Sequence, residues 1–422
     1  MQGMKISIVS TSDSSGGAAR AALRLHKALL DNGSDCRMRV AEKNCDLTSV
    51  AGTVGKIAKG WGILRRNSAV ALMRLQSTPN FNAHSPSVFP SGIVDELNAT
   101  VAEVINIHWV CNEFLSIEDL GRIKKPAVWT LHDMWAFCGS EHYAPEGGLA
   151  RWRSGYLAEN RPAEHKGLDI DRWVWNRKIK NWTRPAHIVT PSRWLADCAR
   201  NSALMHDWPV TVIPNPLDTR QFQPWPKALA REILGLPLDV RLVLFGAIGG
   251  GSDPRKGRDL LQSALDIVAG KMPDIHGVIF GQSKPLNPPS MKMPLHWMGH
   301  ISDDATLALL YSAADVTVVP SRQENLPQSG TEAHACGCPV VAFNCTGLPD
   351  VVAHGETGYL AEPYDSEDLA KGIHWVLEDS ERHSRLCAAA RVRALHLWSP
   401  EVIVPQYIKV YGAAIESLKG RV

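Results

Sequence analysis

Short apolar runs alternate along this chain with longer stretches whose apolar residues recur at helical spacing. Strand-like runs fall at residues 5–10, 104–109, 127–131, 188–190 and 210–213, and a second set at 242–247, 277–281, 315–320 and 339–343. Helical patterns lie between them, as at 17–32, 192–201, 257–269 and 303–313. Strands alternating with helices predict parallel sheets covered on both faces. Two such sets predict an α/β protein of two doubly wound, Rossmann-like domains. The best boundary is Ile213-Pro214-Asn215-Pro216-Leu217, where two prolines break any regular element. The expected domains are 1–213 and 214–399. A last helical stretch, 400–422, has no strand after it and is expected to pack back on the first domain. Residues 150–182 are polar and Trp-bearing, and they read either as an insertion or as a helix pair.

The length of 422 residues agrees with two cores rather than one. Hydrophobic residues at 45% and charged residues at 21% fit a soluble globular chain. A net charge of +2 gives no reason to expect nucleic acid as a partner. Nine cysteines without paired spacing point to free thiols and a reducing compartment. With no apolar run near the roughly 18 residues of a membrane span, and a strand beginning at Met4, a cytoplasmic location is expected. The 14 tryptophans read as core filling or as platforms for sugars.

The richest chemistry follows the run 315–320. There Glu324 stands where ligands bind in open parallel sheets, beyond a strand's carboxyl end. Ser329 and Glu332 have the spacing of a capping box, which predicts a helix starting near Ser329 with free N–H groups suited to phosphate. Each acid alone also reads blandly, as a cap or a solvated loop residue. Together, two carboxylates around a helix start match the hydroxyl–diphosphate–hydroxyl order of a nucleotide-sugar. Asp253-Pro254-Arg255-Lys256-Gly257 opens another helical pattern, and two cations at a helix start oppose its dipole unless an anion binds there. After the first strand come Gly16 and Gly17, without the spacing of a dinucleotide or P-loop fingerprint. His108 and His132 both end strand-like runs, a position that serves a cleft or a core equally well. Cys138 and His142 lie near His132, but no complete metal-ligand spacing appears.

The run Pro-Ser-Arg-x-Glu-Asn-Leu-Pro, followed by Glu-Ala-x-Ala-Cys-Gly-x-Pro-Val-Val-Ala, resembles the E-x7-E signature of the retaining glycosyltransferases of family 4. The likeness extends over nearly the whole chain and implies the GT-B fold. It implies that Glu324 lies by the donor sugar and Glu332 on the nucleotide ribose, with Asn325, Leu326 and Ser329 in the same donor-binding loop. It places Lys256 on the donor phosphates, with Arg255 in place of an arginine that relatives carry where this chain has Ala247. Gly16 and Gly17 resemble the family's Gly-Gly loop, and His132 the histidine near the reacting centre. Residues 132–143 are similar to a subgroup that makes surface polysaccharides, with fewer cysteines downstream.

The resemblance implies a UDP- or GDP-sugar as substrate, no cofactor and no metal, and a glycan or polyprenyl-linked acceptor. Residues 295–300 match where relatives hold the base. Residues 56–74 carry five cations and no acid among apolar positions, which suits either a peripheral contact with the inner face of the cytoplasmic membrane or a solvated helix face. The rival readings are a nucleotide-sugar epimerase, a catalytically silent glycan-binding or scaffold subunit, and a pyridoxal phosphate phosphorylase.

Overall fold

The computed structural model describes residues 3–147, 150–246, 253–288 and 290–420. The chain divides into two compact units, one of Met1–Asn215 with Val404–Val422 and one of Pro216–Ile403.

The first unit contributes strands β1 (Lys5–Ser12), β2 (Asp35–Glu42), β3 (Val50–Ala51), β4 (Gln76–Ser77), β5 (Val104–Ile107), β6 (Ala127–Thr130), β7 (Lys166–Gly167), β8 (His187–Thr190) and β9 (Val210–Val212). Seven of them form one sheet in the order β3-β2-β1-β5-β6-β8-β9. Every pairing in it is parallel. Its central strands are buried along their whole length, as at Val104–Ile107. That is why they read as continuous apolar runs rather than alternating ones. The second unit contributes β10 (Arg241–Gly246), β11 (Ile275–Phe280), β12 (Leu295–Trp297), β13 (Val316–Val319), β14 (Val340–Phe343) and β15 (Gly358–Ala361). These form a second wholly parallel sheet, in the order β12-β11-β10-β13-β14-β15.

In each sheet the winding reverses once, between β1 and β5 in the first and between β10 and β13 in the second. Ligand crevices form at such switch points, beyond the strands' carboxyl ends. In the first sheet this puts the loops after β1 and β5 in functional positions. In the second sheet it does the same for the loop after β13, while residues 247–252 lie outside the described residues.

The stretch at 150–182 resolves into short elements. Helix Arg151–Ser154 comes first, then β7, which pairs antiparallel with β4, then helix Ile170–Asn181. It brings Trp152, Trp175 and Trp182 into the core of the first unit. Seven of the 14 tryptophans are buried, so for those the core reading holds. Helix Ile170–Asn181 also delivers Lys178, which is 0% exposed. Its ammonium donates to the carbonyls of Trp135, Cys138 (3.0 Å) and Gly139 (2.8 Å) and lies 3.9 Å from the centre of the Trp135 ring. A buried ammonium survives only with such partners. Here they pin the loop that follows β6.

The final helix, Pro400–Lys419, enters the first unit from Val404 onward. Tyr411 Oη accepts a 2.7 Å hydrogen bond from Asn106 on β5, and Tyr407 Oη lies 3.3 Å from Thr130 Oγ1 on β6. Both tyrosines are buried. No described helix is long and apolar enough to cross a membrane.

Candidate active site

In the second unit the site grows from two backbone necessities. Gly257 has φ +63°, and a Cβ there would lie 1.9 Å from the Pro320 carbonyl oxygen. Only glycine lets the turn after β10 press against the end of β13. Gly347 is equally constrained, because a Cβ there would lie 1.4 Å from the Asn325 carbonyl oxygen. Its N–H donates to the Glu324 carbonyl at 2.9 Å, while Thr346 Oγ1 accepts the Glu324 N–H at 3.1 Å. The loop carrying Glu324 is therefore held from both sides.

Lys256 ends a single 3-10 turn, Pro254–Lys256, and the α-helix proper begins at Arg258. The cations thus precede the helix rather than open it. The Lys256 ammonium contacts Glu324 Oε1, which also accepts from Ser321 Oγ at 3.2 Å. Lys256 is 40% exposed and Glu324 13%. Arg255 turns instead to Asp253, at 2.7 Å and 3.1 Å. A second stitch joins the two loops, as Arg322 grips Asp259 at 2.6 Å and 2.8 Å and its N–H donates to the Arg255 carbonyl at 2.6 Å. The Arg322 hydrogen bonds hold the Asp259 carboxyl below its ordinary range. Ala247, where relatives carry an arginine, lies outside the described residues.

The expected capping box is absent. The helix is Gln328–Ala335, its cap is Pro327, and no side chain caps it. Pro327 presets φ for a helix entry, so the helix starts before Ser329, which becomes its second residue. Glu332 instead points inward, is 2% exposed, and accepts from Tyr311 Oη at 3.0 Å. Asn325 and Leu326 are buried between the two acids. Beside Lys256 opens a cleft of about 640 Å³, with Phe245, Leu261, Leu265 and Ile279 among its apolar walls. Arg258, Gln282 and Trp297 line it with polar groups and an indole.

The first unit carries the other residues singled out in the sequence. Ser12 Oγ accepts the N–H groups of Ser14 and Ser15, both at 3.2 Å, and Gly16 follows at φ +84°. Buried Asp13 fixes this turn by accepting the N–H groups of Asn44 and Cys45. Gly16 and Gly17 are left exposed at the start of helix Gly16–Asp31.

Past β5 and β6, His108 and His132 stack with ring centres 5.2 Å apart, and Nδ1 of the first lies 2.9 Å from Nε2 of the second. Burial pushes His132 down to about 4 and His108 well below its ordinary value, so both rings are neutral. Next to them Asp133 accepts from Trp109 Nε1 at 2.9 Å and from His142 Nδ1 at 2.6 Å, and His142 Nε2 lies 2.8 Å from Ser85 Oγ. Burial raises the Asp133 carboxyl, but His142 and the N–H donors outweigh it and hold it below its ordinary value. Sequence spacing hid this group, because Ser85 lies 57 residues from His142. Tyr311, Thr346 and Gly347 were also missed, since their partners come from other elements. Among the described residues no three His, Cys, Asp or Glu side chains are placed to hold a metal.

Two doubly wound parallel sheets of this kind define the GT-B fold, and solved structures agree. Sucrose-phosphate synthase from Thermosynechococcus elongatus superposes with a TM-score of 0.65 at 18% identity, covering 98% of this chain and 100% of that one. Anabaena HepE in complex with UDP-glucose gives 0.62 at 17% identity, covering 99% and 100%. Residues 234–393 match the family of glycosyl transferases group 1, and this segment carries Lys256, Glu324 and Glu332. D-inositol 3-phosphate glycosyltransferase from Thermobispora bispora is 33% identical over 249 residues, covering 55% of this chain and 56% of the relative. Its namesake from Mycolicibacterium smegmatis is 34% identical over 204 residues, covering 46% and 45%. The chain spans about half the length of the curated relatives it matches.

Proposed function

We propose that this chain is a retaining glycosyltransferase that moves a sugar from a UDP- or GDP-sugar to a glycan or lipid-linked acceptor. The observation that carries this reading is the contact of Lys256 with Glu324 at the switch point of the second sheet, in the segment that matches the group 1 glycosyl transferases. The Lys256 ammonium is half-exposed and paired to a single carboxylate, so an incoming diphosphate can take it over and release Glu324 to the sugar. Glu332 sits deeper, where a carboxylate suits ribose hydroxyls, and the apolar cleft beside Lys256 suits a base.

In the reaction the bond from the anomeric carbon to phosphate breaks and a bond to the acceptor oxygen forms on the same face. The acceptor proton passes to the leaving phosphate oxygen. Lys256 offsets the charge that builds there. Solved HepE is described in complex with UDP and glucose, which favours a uridine donor.

For the acceptor, likeness to polysaccharide-making relatives favours a polyprenyl-linked saccharide in surface polysaccharide assembly, at the cytoplasmic face of the membrane. The names of the matched curated relatives favour an inositol phosphate instead. Helix Lys56–Met73 supports membrane contact. Ala69 is its one buried residue, while Ile57, Trp61 and Leu64 form an exposed stripe with Lys56 and Lys59 alongside.

The test is thermal stability with UDP, GDP, ADP, NAD and common nucleotide-sugars. A ligand at 100 times its Kd adds about 2.7 kcal/mol to the native state. A shift with one nucleoside diphosphate, followed by transfer that requires an acceptor, is expected. Turnover of the donor without acceptor would indicate an epimerase. No shift with any nucleotide would leave the scaffold reading.

A further inference from the structure

Asp133 receives more support than a solvated carboxylate requires. Three donors from three positions converge on it, namely Trp109 Nε1 and His142 Nδ1 on Oδ2, and the Trp135 N–H on Oδ1 at 3.0 Å. Because an ionised carboxylate only accepts, His142 presents Nδ1–H to it and leaves Nε2 against the Ser85 hydroxyl. Oδ2 is thereby filled, whereas Oδ1 has one partner and room for another donor. Asp133 is more open than His142, with its side chain 13% exposed against 4%.

With His108, Trp109 and His132 it lines a small, shallow hollow at the carboxyl ends of β5 and β6. His108 Nε2, buried at this hollow, has no partner among the described residues. Among the described residues no lysine or arginine lines the hollow. One fixed negative charge beside two neutral imidazoles accepts a hydroxyl and repels a phosphate or carboxylate.

We propose that Asp133 receives a hydroxyl of a neutral, polyhydroxylated acceptor in this hollow, and that Trp109, His142 and Ser85 are positioning residues that aim its carboxylate. The assignment rests on the glycosyltransferase reading and narrows its acceptor.

The test uses the full chain, UDP-glucose and GDP-mannose as donor probes, and two acceptor sets. One set is neutral methyl hexosides, the other hexose 6-phosphates with an inositol phosphate. The wild type is expected to prefer the neutral set. Asp133→Asn should cut transfer by about 10- to 100-fold through acceptor KM while nucleoside diphosphate binding and melting stay unchanged. Trp109→Phe leaves the charge in place but frees its orientation, and should raise acceptor KM about 10-fold at similar kcat. His142→Asn retains a donor at the Nδ1 position and should recover most of what His142→Phe loses, a rescue that a purely structural role would not produce. If Asp133→Asn does not fold, Trp109→Phe decides. Wild-type KM in the folded variants, or preference for the phosphorylated set, would overturn the assignment. If the wild type binds no nucleotide at all, the glycosyltransferase reading fails first and this one with it.

Discussion

The two sheets place their candidate groups at equivalent points, yet the chemistry there is opposite. In the second unit the groups are charged, partly open and paired with each other, as in Lys256 with Glu324 and Arg322 with Asp259. In the first unit His108 and His132 are held neutral, and among the described residues Asp133 is the one fixed charge lining the hollow. Exchangeable ion pairs suit a polyanionic ligand that arrives and leaves as a nucleotide does. Fixed hydrogen bonds among neutral rings suit orienting a hydroxyl, since little reorganises when it binds.

The comparison breaks most sharply at Gly257. Gly257→Ala forces a Cβ into the Pro320 carbonyl and should abolish both nucleotide binding and transfer, with the first unit's melting unchanged. Retained nucleotide binding would show that the contact between turn and strand does not build the site. Next in size, Glu324→Gln should lower turnover by about 100-fold or more with little change in nucleotide affinity. Glu332→Ala should mainly weaken nucleotide binding, read by calorimetry. Wild-type-like turnover in both variants would remove the two acids from the site.

Acid should separate the units. His26 is pushed down to about 4 by burial, with Lys27 adding to it, and His132 also to about 4, while His108 lies well below its ordinary value. The second unit has His334, pushed down to about 3 chiefly by burial. In the unfolded chain each ring binds a proton near pH 6.5, whereas the folded ring does not. Stability is therefore complete above about pH 6.5 and is lost as pH falls toward 4, by about 2 kcal/mol per ring at pH 5. Scanning calorimetry at pH 7 and pH 5 should show the first unit's transition falling further. Equal shifts would refute the contrast. The smallest effect concerns helix Lys56–Met73. Trp61→Ala with Lys56→Ala and Lys59→Ala should reduce binding to phosphatidylserine vesicles by about 10-fold and leave melting unchanged. Unchanged vesicle binding would return this helix to the solvent.

Much of the fold was legible because parallel strands buried on both faces write themselves as apolar runs, and Pro214 and Pro216 mark the break between units. The placing of Glu324 beyond a strand end and of Glu332 in the helix that follows was legible because strand, loop and helix succeed one another within a few residues. The reading failed where a tertiary partner outweighed a local pattern. Ser329 and Glu332 have the spacing of a cap, but Pro327 starts the helix early and Tyr311 captures Glu332. Arg255 looked available beside Lys256, yet Asp253, two residues before it, takes it. The brace around Asp133 left no trace, because Ser85, Trp109 and His142 come together only once β5, β6 and the loops around them are in place.

The last helix has a consequence for how the protein is made. The sheet of the first unit buries Tyr407 and Tyr411 against Thr130 and Asn106, so that core stays open until residues 404–419 have been synthesised. All of Pro216–Ile403 must emerge first. At roughly 5–20 residues per second this is a delay of about 10–40 s. During that interval the ribosome holds a nearly finished first unit with a missing wall, while the second unit can already close on itself. The unit translated first is therefore completed last, and a chaperone that shields apolar surface would find its client there.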